Sequence, residues 1–195
     1  MGRFTRRAAA VGGCIEMAKI SGGTKLVNKL KVMADHIGSA KAVRIGFLSG
    51  APYPNGTSVP MVAAIQEYGA PSRGIPPRPF FRNMIASKKA EWPKAIASAL
   101  QDNGMDALTA LHQVGQSVQG QLRQSIRDTN APALSPITVM LRGMRHNNPA
   151  LVVTGKTVGE AARRVAAGKT NYGASTKPLI DSGDLLNAVD YEVKV

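Results

Sequence analysis

Two short stretches far apart in the chain alternate apolar and polar residues and carry opposite charge on their polar faces. In KAVRIGFLSG, Val43, Ile45 and Phe47 alternate with Arg44 and Gly46; in AVDYEVKV, Val189, Tyr191, Val193 and Val195 alternate with Asp190, Glu192 and Lys194. Period two is the spacing of a strand with one buried face. Lys41 and Arg44 on one stretch and Asp190 and Glu192 on the other favour pairing the two. Each opposite-charge cross-strand pair contributes about 0.2–1 kcal/mol. Pairing the first strand with the last obliges the chain between them to return on itself. The expectation is an α+β fold, with a small antiparallel sheet of about 41–49 and 188–195 packed against several helices. At 195 residues, a single domain with a core of its own is feasible.

Helical spacing fills much of the remainder. Leu26, Leu30, Met33 and Ile37 fall on one stripe, with Lys25, Lys29 and Lys31 outside it. APYPNGT over 51–57 is turn chemistry. Ser58 then caps a short helix that Gly69 stops. Prolines 76, 77 and 79 make PSRGIPPRPFF an extended strap. FFRNMIASKKAE opens a further helix, and Pro93 suits the first turn of PKAIASALQDN, which Gly104 ends. The most regular element is 105–128, where Leu111, Gly115, Val118 and Leu122 keep a three-and-four spacing amid glutamines. Gly115 and Gly120 each cost about 1 kcal/mol relative to Ala in a helix, which predicts close approach of a second backbone. Residues 129–177 read as a long irregular insert, with only TVGEAARRVAAG helical. Near the end, Asp181 or Ser182 caps a helix with Asp184 in its first turn.

Residues 1–22 read as a flexible basic arm preceding a single domain over 23–195; Met17 would serve equally well as a start. The lone Cys14 excludes an intrachain disulfide. No apolar run approaches the length of a membrane span, so a soluble, reducing, intracellular setting is expected. The formal charge is +13, with 15 basic and 4 acidic residues in 1–100 against 10 and 8 in 101–195. Such a balance suits contact with phosphate or an acidic face, yet the chain has no zinc-finger spacing and no aromatic RNA-binding stretch. No pattern for chemistry emerges. His112 has no acidic residue one turn away, Cys14 has no neighbouring His, and Asp181 and Asp184 are explained by capping. The glycine stretches lack the Lys-Ser/Thr ending of a phosphate loop. The chain is read as a non-enzyme with no cofactor and no metal.

Three ordered pieces carry a resemblance: VRIGFLSGAPYPNGTSVPMVAAIQEYGAPSRGIPPRPFFRNMI, LHQVGQSVQGQLRQSI and TKPLIDSGDLLNAVDYEV. Together they resemble tail-completion or neck proteins of tailed bacteriophages, often described as virion morphogenesis or minor tail components. The resemblance spans about 23–128 and 175–193. It implies a subunit of a homo-oligomeric, six-fold ring in the virion neck, assembled in the host cytoplasm. Such a ring continues the DNA channel and docks between head–tail connector proteins and the tail terminator, tube or sheath, touching viral DNA only transiently. Tail terminator, other tail-tube or baseplate component, and free nucleic-acid-binding protein are the competing expectations. Within this frame Tyr68, Phe80 and Phe81 are candidate anchors of the strap to the sheet. Arg78 is a candidate for a forked bond to a carboxylate on the same or a neighbouring subunit. Arg142, Arg145, Arg163 and Arg164 are candidates for lining the channel or touching a partner ring.

Overall fold

A computed structural model describes residues 23–48, 52–53, 56–169 and 173–195; the basic arm 1–22, with Cys14, lies outside the described residues. The fold is α+β, with eight α-helices and one two-stranded antiparallel sheet among the described residues. In chain order these are α1 (Gly23–Ile37), β1 (Ala42–Gly46), α2 (Val59–Tyr68), α3 (Phe80–Lys88), α4 (Trp92–Asp102), α5 (Ala107–Asp128), α6 (Pro136–Asn147), α7 (Gly155–Ala166), α8 (Asp184–Asn187) and β2 (Asp190–Lys194). The expected pairing of first with last strand is present. Arg44 stands opposite Glu192 in the register, and their charged groups meet at 3.5 Å. Val43, Ile45, Tyr191 and Val193 share the other face of the sheet, which packs on α5.

The central element is α5. Asp106 caps it by accepting from the Leu108 N–H at 3.1 Å. The Thr109 hydroxyl and the adjacent backbone N–H groups hold the Asp106 carboxyl below its usual range. The apolar stripe Ala110, Val114, Val118, Leu122 and Ile126 is buried beneath α3, α4 and the sheet. Leu122, Ile126, Phe80 and Val189 are the largest fully enclosed side chains, each contributing about 1.5–3 kcal/mol by its removal from water. The glutamines of α5 are not merely solvated. The Gln119 amide donates to the Val189 carbonyl at 2.8 Å and Gln121 accepts from the Trp92 indole at 3.0 Å.

Four expectations change. The insert 129–177 contains a second helix, α6, capped by Ser135 through the Thr138 N–H. Pro136 sits at the first helical position, where its missing N–H costs nothing. Together α6 and α7 form a hairpin with its own small core of Met140, Met144 and Ala161, flanked by Ile137, Leu141, Leu151 and Val165. The stripe of α1 forms as spaced, yet Leu26, Leu30 and Ile37 remain 59%, 55% and 48% exposed. Gly183, at φ +93°, occupies the N-cap of α8 rather than Asp181 or Ser182. Finally, Gly115 faces a side chain and not a second backbone: a Cβ there would stand 2.5 Å from Cδ2 of Tyr191. Gly120 has open space around it.

The two glycines therefore respond oppositely to the same change. Gly115→Ala must displace the Tyr191 ring and is expected to cost about 1–3 kcal/mol, the range for overpacking. Gly120→Ala is expected to gain up to about 1 kcal/mol from helix propensity. Urea denaturation of the two variants checks the sign of each.

Candidate functional site

The candidate residues fall at two places, the strap between α2 and α3 and the α6–α7 hairpin with the segment that follows it. The strap begins where α2 stops. Gly69, at φ +78°, could not carry a Cβ, which would lie 2.8 Å from the Pro77 nitrogen and 2.9 Å from the Ile75 oxygen. Ala70 and Ile75 exchange backbone bonds of 2.8 and 3.1 Å, closing a small loop. The prolines that follow have few donors to offer, so side chains hold the strap in place.

Three ionic side chains do this work. Glu67 is only 5% exposed. Its carboxylate accepts from the Phe81 and Arg82 backbone N–H groups at 2.9 and 3.1 Å and from Arg82 Nε at 2.8 Å. It therefore caps the N-terminus of α3 from the neighbouring helix, where Pro79 has no side-chain cap to offer. Negative charge at that end is favoured by the helix dipole. Arg78, 4% exposed, donates from Nε to the Pro132 carbonyl at 2.8 Å and from Nη1 to the Gln66 side-chain oxygen at 3.0 Å. The expected carboxylate partner is thus replaced by a carbonyl and an amide of the same chain. Burial, and after it the charge of Arg142, lowers the Arg78 pKa.

Phe80 and Phe81 behave differently from Tyr68. Phe80 is 1% exposed, meets Phe47 edge-on with ring centres 6.1 Å apart, and its carbonyl accepts from the Ser125 hydroxyl at 2.6 Å. Phe81 packs on the same core, half-buried. Tyr68 points to solvent at 66% exposure, with the Arg82 guanidinium 5.1 Å above its ring. Tyr68 anchors nothing in the sheet, because Glu67, the residue before it, takes the inward-facing position at the end of α2.

The four arginines of the insert separate. Arg142 turns inward from α6 and donates to the carbonyls of Lys177, Pro178, Ser175 and Ile180 at 2.7, 2.9, 3.3 and 3.3 Å. Its Nε lies 3.6 Å from Asp181. Burial lowers its pKa, and Asp181 opposes that shift. A guanidinium so occupied fastens 175–181 to α6. Arg145 is exposed at the rim of a cleft of about 350 Å³ that Tyr53, Gln66, Asp181 and Asp184 also line. Burial first, then Asp184 and Asp181, raise the Tyr53 pKa, so its phenol stays protonated. Arg163 and Arg164 stand on the outer face of α7, Arg164 paired with Glu160.

Sequence reasoning missed Glu67. Glu67 could have been found as the only carboxylate in 36–90, placed one turn before a strap full of backbone groups. Among the described residues no group of three or more His, Cys, Asp or Glu side chains is placed to hold a metal ion. No helix among them is long and apolar enough to cross a membrane.

Two substitutions separate these roles. Glu67→Ala leaves two N–H donors and Arg82 without their acceptor and is expected to cost about 2–3 kcal/mol in chemical denaturation. Arg142→Met keeps the stem but frees the carbonyls around 175–181. It is expected to raise amide hydrogen exchange in 173–183 more than in α5, and equal protection in both variants and wild type would refute the fastening role.

No family model, curated protein or solved structure matches the chain.

Proposed function

We propose that this chain is a structural virion protein of a tailed bacteriophage, a subunit of the neck or tail-completion ring between head connector and tail. Its work is done by shape: it extends the DNA channel and offers docking surfaces, and it catalyses no reaction. The order of the strand, IQEYG, PPRPFFR, glutamine-helix and SGDLL pieces supports the family reading. The observation that carries ring assembly is the apolar stripe of α1. Leu26, Val27 and Leu30 stand 55–61% exposed on one side of α1. Exposed apolar surface of this kind marks a protein contact. A second copy, meeting it with a different surface, gives the heterologous contact from which closed rings are built.

The purified protein is expected to form closed rings of about six subunits in negative-stain micrographs, as cyclic assembly by one repeated contact requires. Leu26→Asp with Leu30→Asp is expected to yield monomers of unchanged far-ultraviolet dichroism. A wild-type protein that stays monomeric at its highest soluble concentration, with and without purified tails, would overturn the ring reading.

A further inference from the structure

The hairpin of α6 and α7 carries a surface that neither the core nor the strap uses. Residues 136–169 contain six basic side chains and one acidic, Glu160, a net of +5. Arg142 is spent on the 175–181 carbonyls. On α7, Ala161 and Val165 face the hairpin core. At 100° per residue, Lys156, Glu160, Arg163 and Arg164 then fall within an arc of about 100° turned away from that core. Lys156, Arg163 and Arg164 are exposed, and they span about 12 Å along the helix axis.

Helix stabilisation accounts for only part of this stripe. Arg163 and Arg164 lie in the last turn, where the dipole favours cations. Lys156 lies in the first turn, which holds no acidic residue and where a cation is disfavoured. A lysine placed against the dipole points to a ligand that wants positive charge along the whole face. The chemistry of that face also selects among ligands. Residues 136–169 contain no Phe, Tyr or Trp, so the large aromatic platforms on which single-strand binders stack unpaired bases are missing from it. The stripe also lacks the large apolar or aromatic centre typical of a protein interface. Exposed cations along about 12 Å of one helix face, with only Glu160 beside Arg164 to offset them, match a line of phosphates.

We propose that the outer face of α7, through Lys156, Arg163 and Arg164, is a contact surface for the phosphate backbone of duplex DNA. It is independent of base sequence, and its place on the ring lumen rests on the ring reading given above. The hairpin has its own apolar core and is held to the rest of the chain by directed polar bonds, so the surface is presented as a preformed arm.

The test uses the full chain and a fluorescently labelled duplex, with anisotropy read across a salt series. Wild type is expected to bind with a steep salt dependence. Lys156→Gln, Arg163→Gln and Arg164→Gln combined are expected to reduce the slope of log affinity against log salt by about 3, near 1 per phosphate contact. The matching variant Lys25→Gln, Lys29→Gln and Lys31→Gln on α1 is expected to retain most of the α7-dependent slope. Melting curves establish that both variants fold, and replacing only Lys156 and Arg163 gives a second, milder variant expected to lose about 2 of the slope. An unchanged slope in the folded α7 variants overturns the proposal, as does tighter binding to single strands or to poly-glutamate than to duplex. Ring formation is scored in parallel: rings without α7-dependent DNA binding sink this inference alone, and binding without rings sinks the ring reading alone.

Discussion

The ring of Tyr191 lies against α5 where Gly115 has no side chain, so close that a single added carbon would stand 2.5 Å from it. That approach sets the distance between sheet and helix, and it also sets the register. Tyr191 stands opposite Ile45, and Val193 opposite Val43, so seating one aromatic ring directs all four toward α5. A slip of β2 by one residue would turn Asp190 and Glu192 inward instead. An isolated two-stranded sheet is marginal in water; this one persists because α5 supplies its missing layer. The Gln119 amide and the Arg123 guanidinium then fix where β2 begins, both donating to the Val189 carbonyl at 2.8 and 3.0 Å.

On its other sides α5 holds α3 and α4 through apolar contact, whereas the strap and the hairpin are attached by ionic side chains. Removing Glu67, Arg78 and Arg142 from water is costly, and isolated buried charges are tolerated only when fully hydrogen-bonded. Each of the three has at least one backbone partner, and none of their buried polar atoms lacks a bond. A guanidinium suits this use, because its planar fork can serve several carbonyls at once and stays charged as burial lowers its pKa. Such bonds contribute little net free energy but fix orientation closely. The PPRPFF motif is therefore a knot that places α3 on α5, and Arg142 a fastening that places α6 beside 175–181.

Elements whose signals are local were legible in the sequence. The alternation of 43–47 and 189–195, with Arg44 set against Glu192, predicted the strand pair, and the spacing of Leu111, Val118 and Leu122 predicted α5. The turn residues at 69 and 93 bounded their helices. What could not be read depended on long-range partners. Pro132, Pro136, Pro149 and repeated glycine made 129–177 look irregular, because a proline that breaks a helix and one that begins it are the same residue in the sequence. Arg142 looked like its neighbours Arg145, Arg163 and Arg164, since only the carbonyls of 175–180 distinguish it. Tyr68 looked like an anchor because aromatics usually are buried, and the helical phase that turns it outward is set by Glu67 meeting α3. Covering of the α1 stripe was the remaining unknown, for periodicity says that a face is apolar and not what lies on it.

The division of surfaces gives the fold its functional sense. The core around α5 is complete without α1 or α7: its enclosed residues come from α2 to α5, from α8 and from the segments flanking α8. The two outlying helices are left with opposite characters. On α1 an apolar stripe edged by Lys25 and Lys29 stays in water, an arrangement whose burial would contribute roughly 1.5–3 kcal/mol per enclosed Leu or Ile. On α7 the outer face has charge and almost no apolar area, so water competes with any partner and only a dense array of opposite charge can hold it. A helix of the first kind suits a permanent contact and one of the second a passing, salt-sensitive contact. In the ring proposed above, a subunit that stays joined to its neighbours while a polyanion moves past it would use both, on separate helices of one fold.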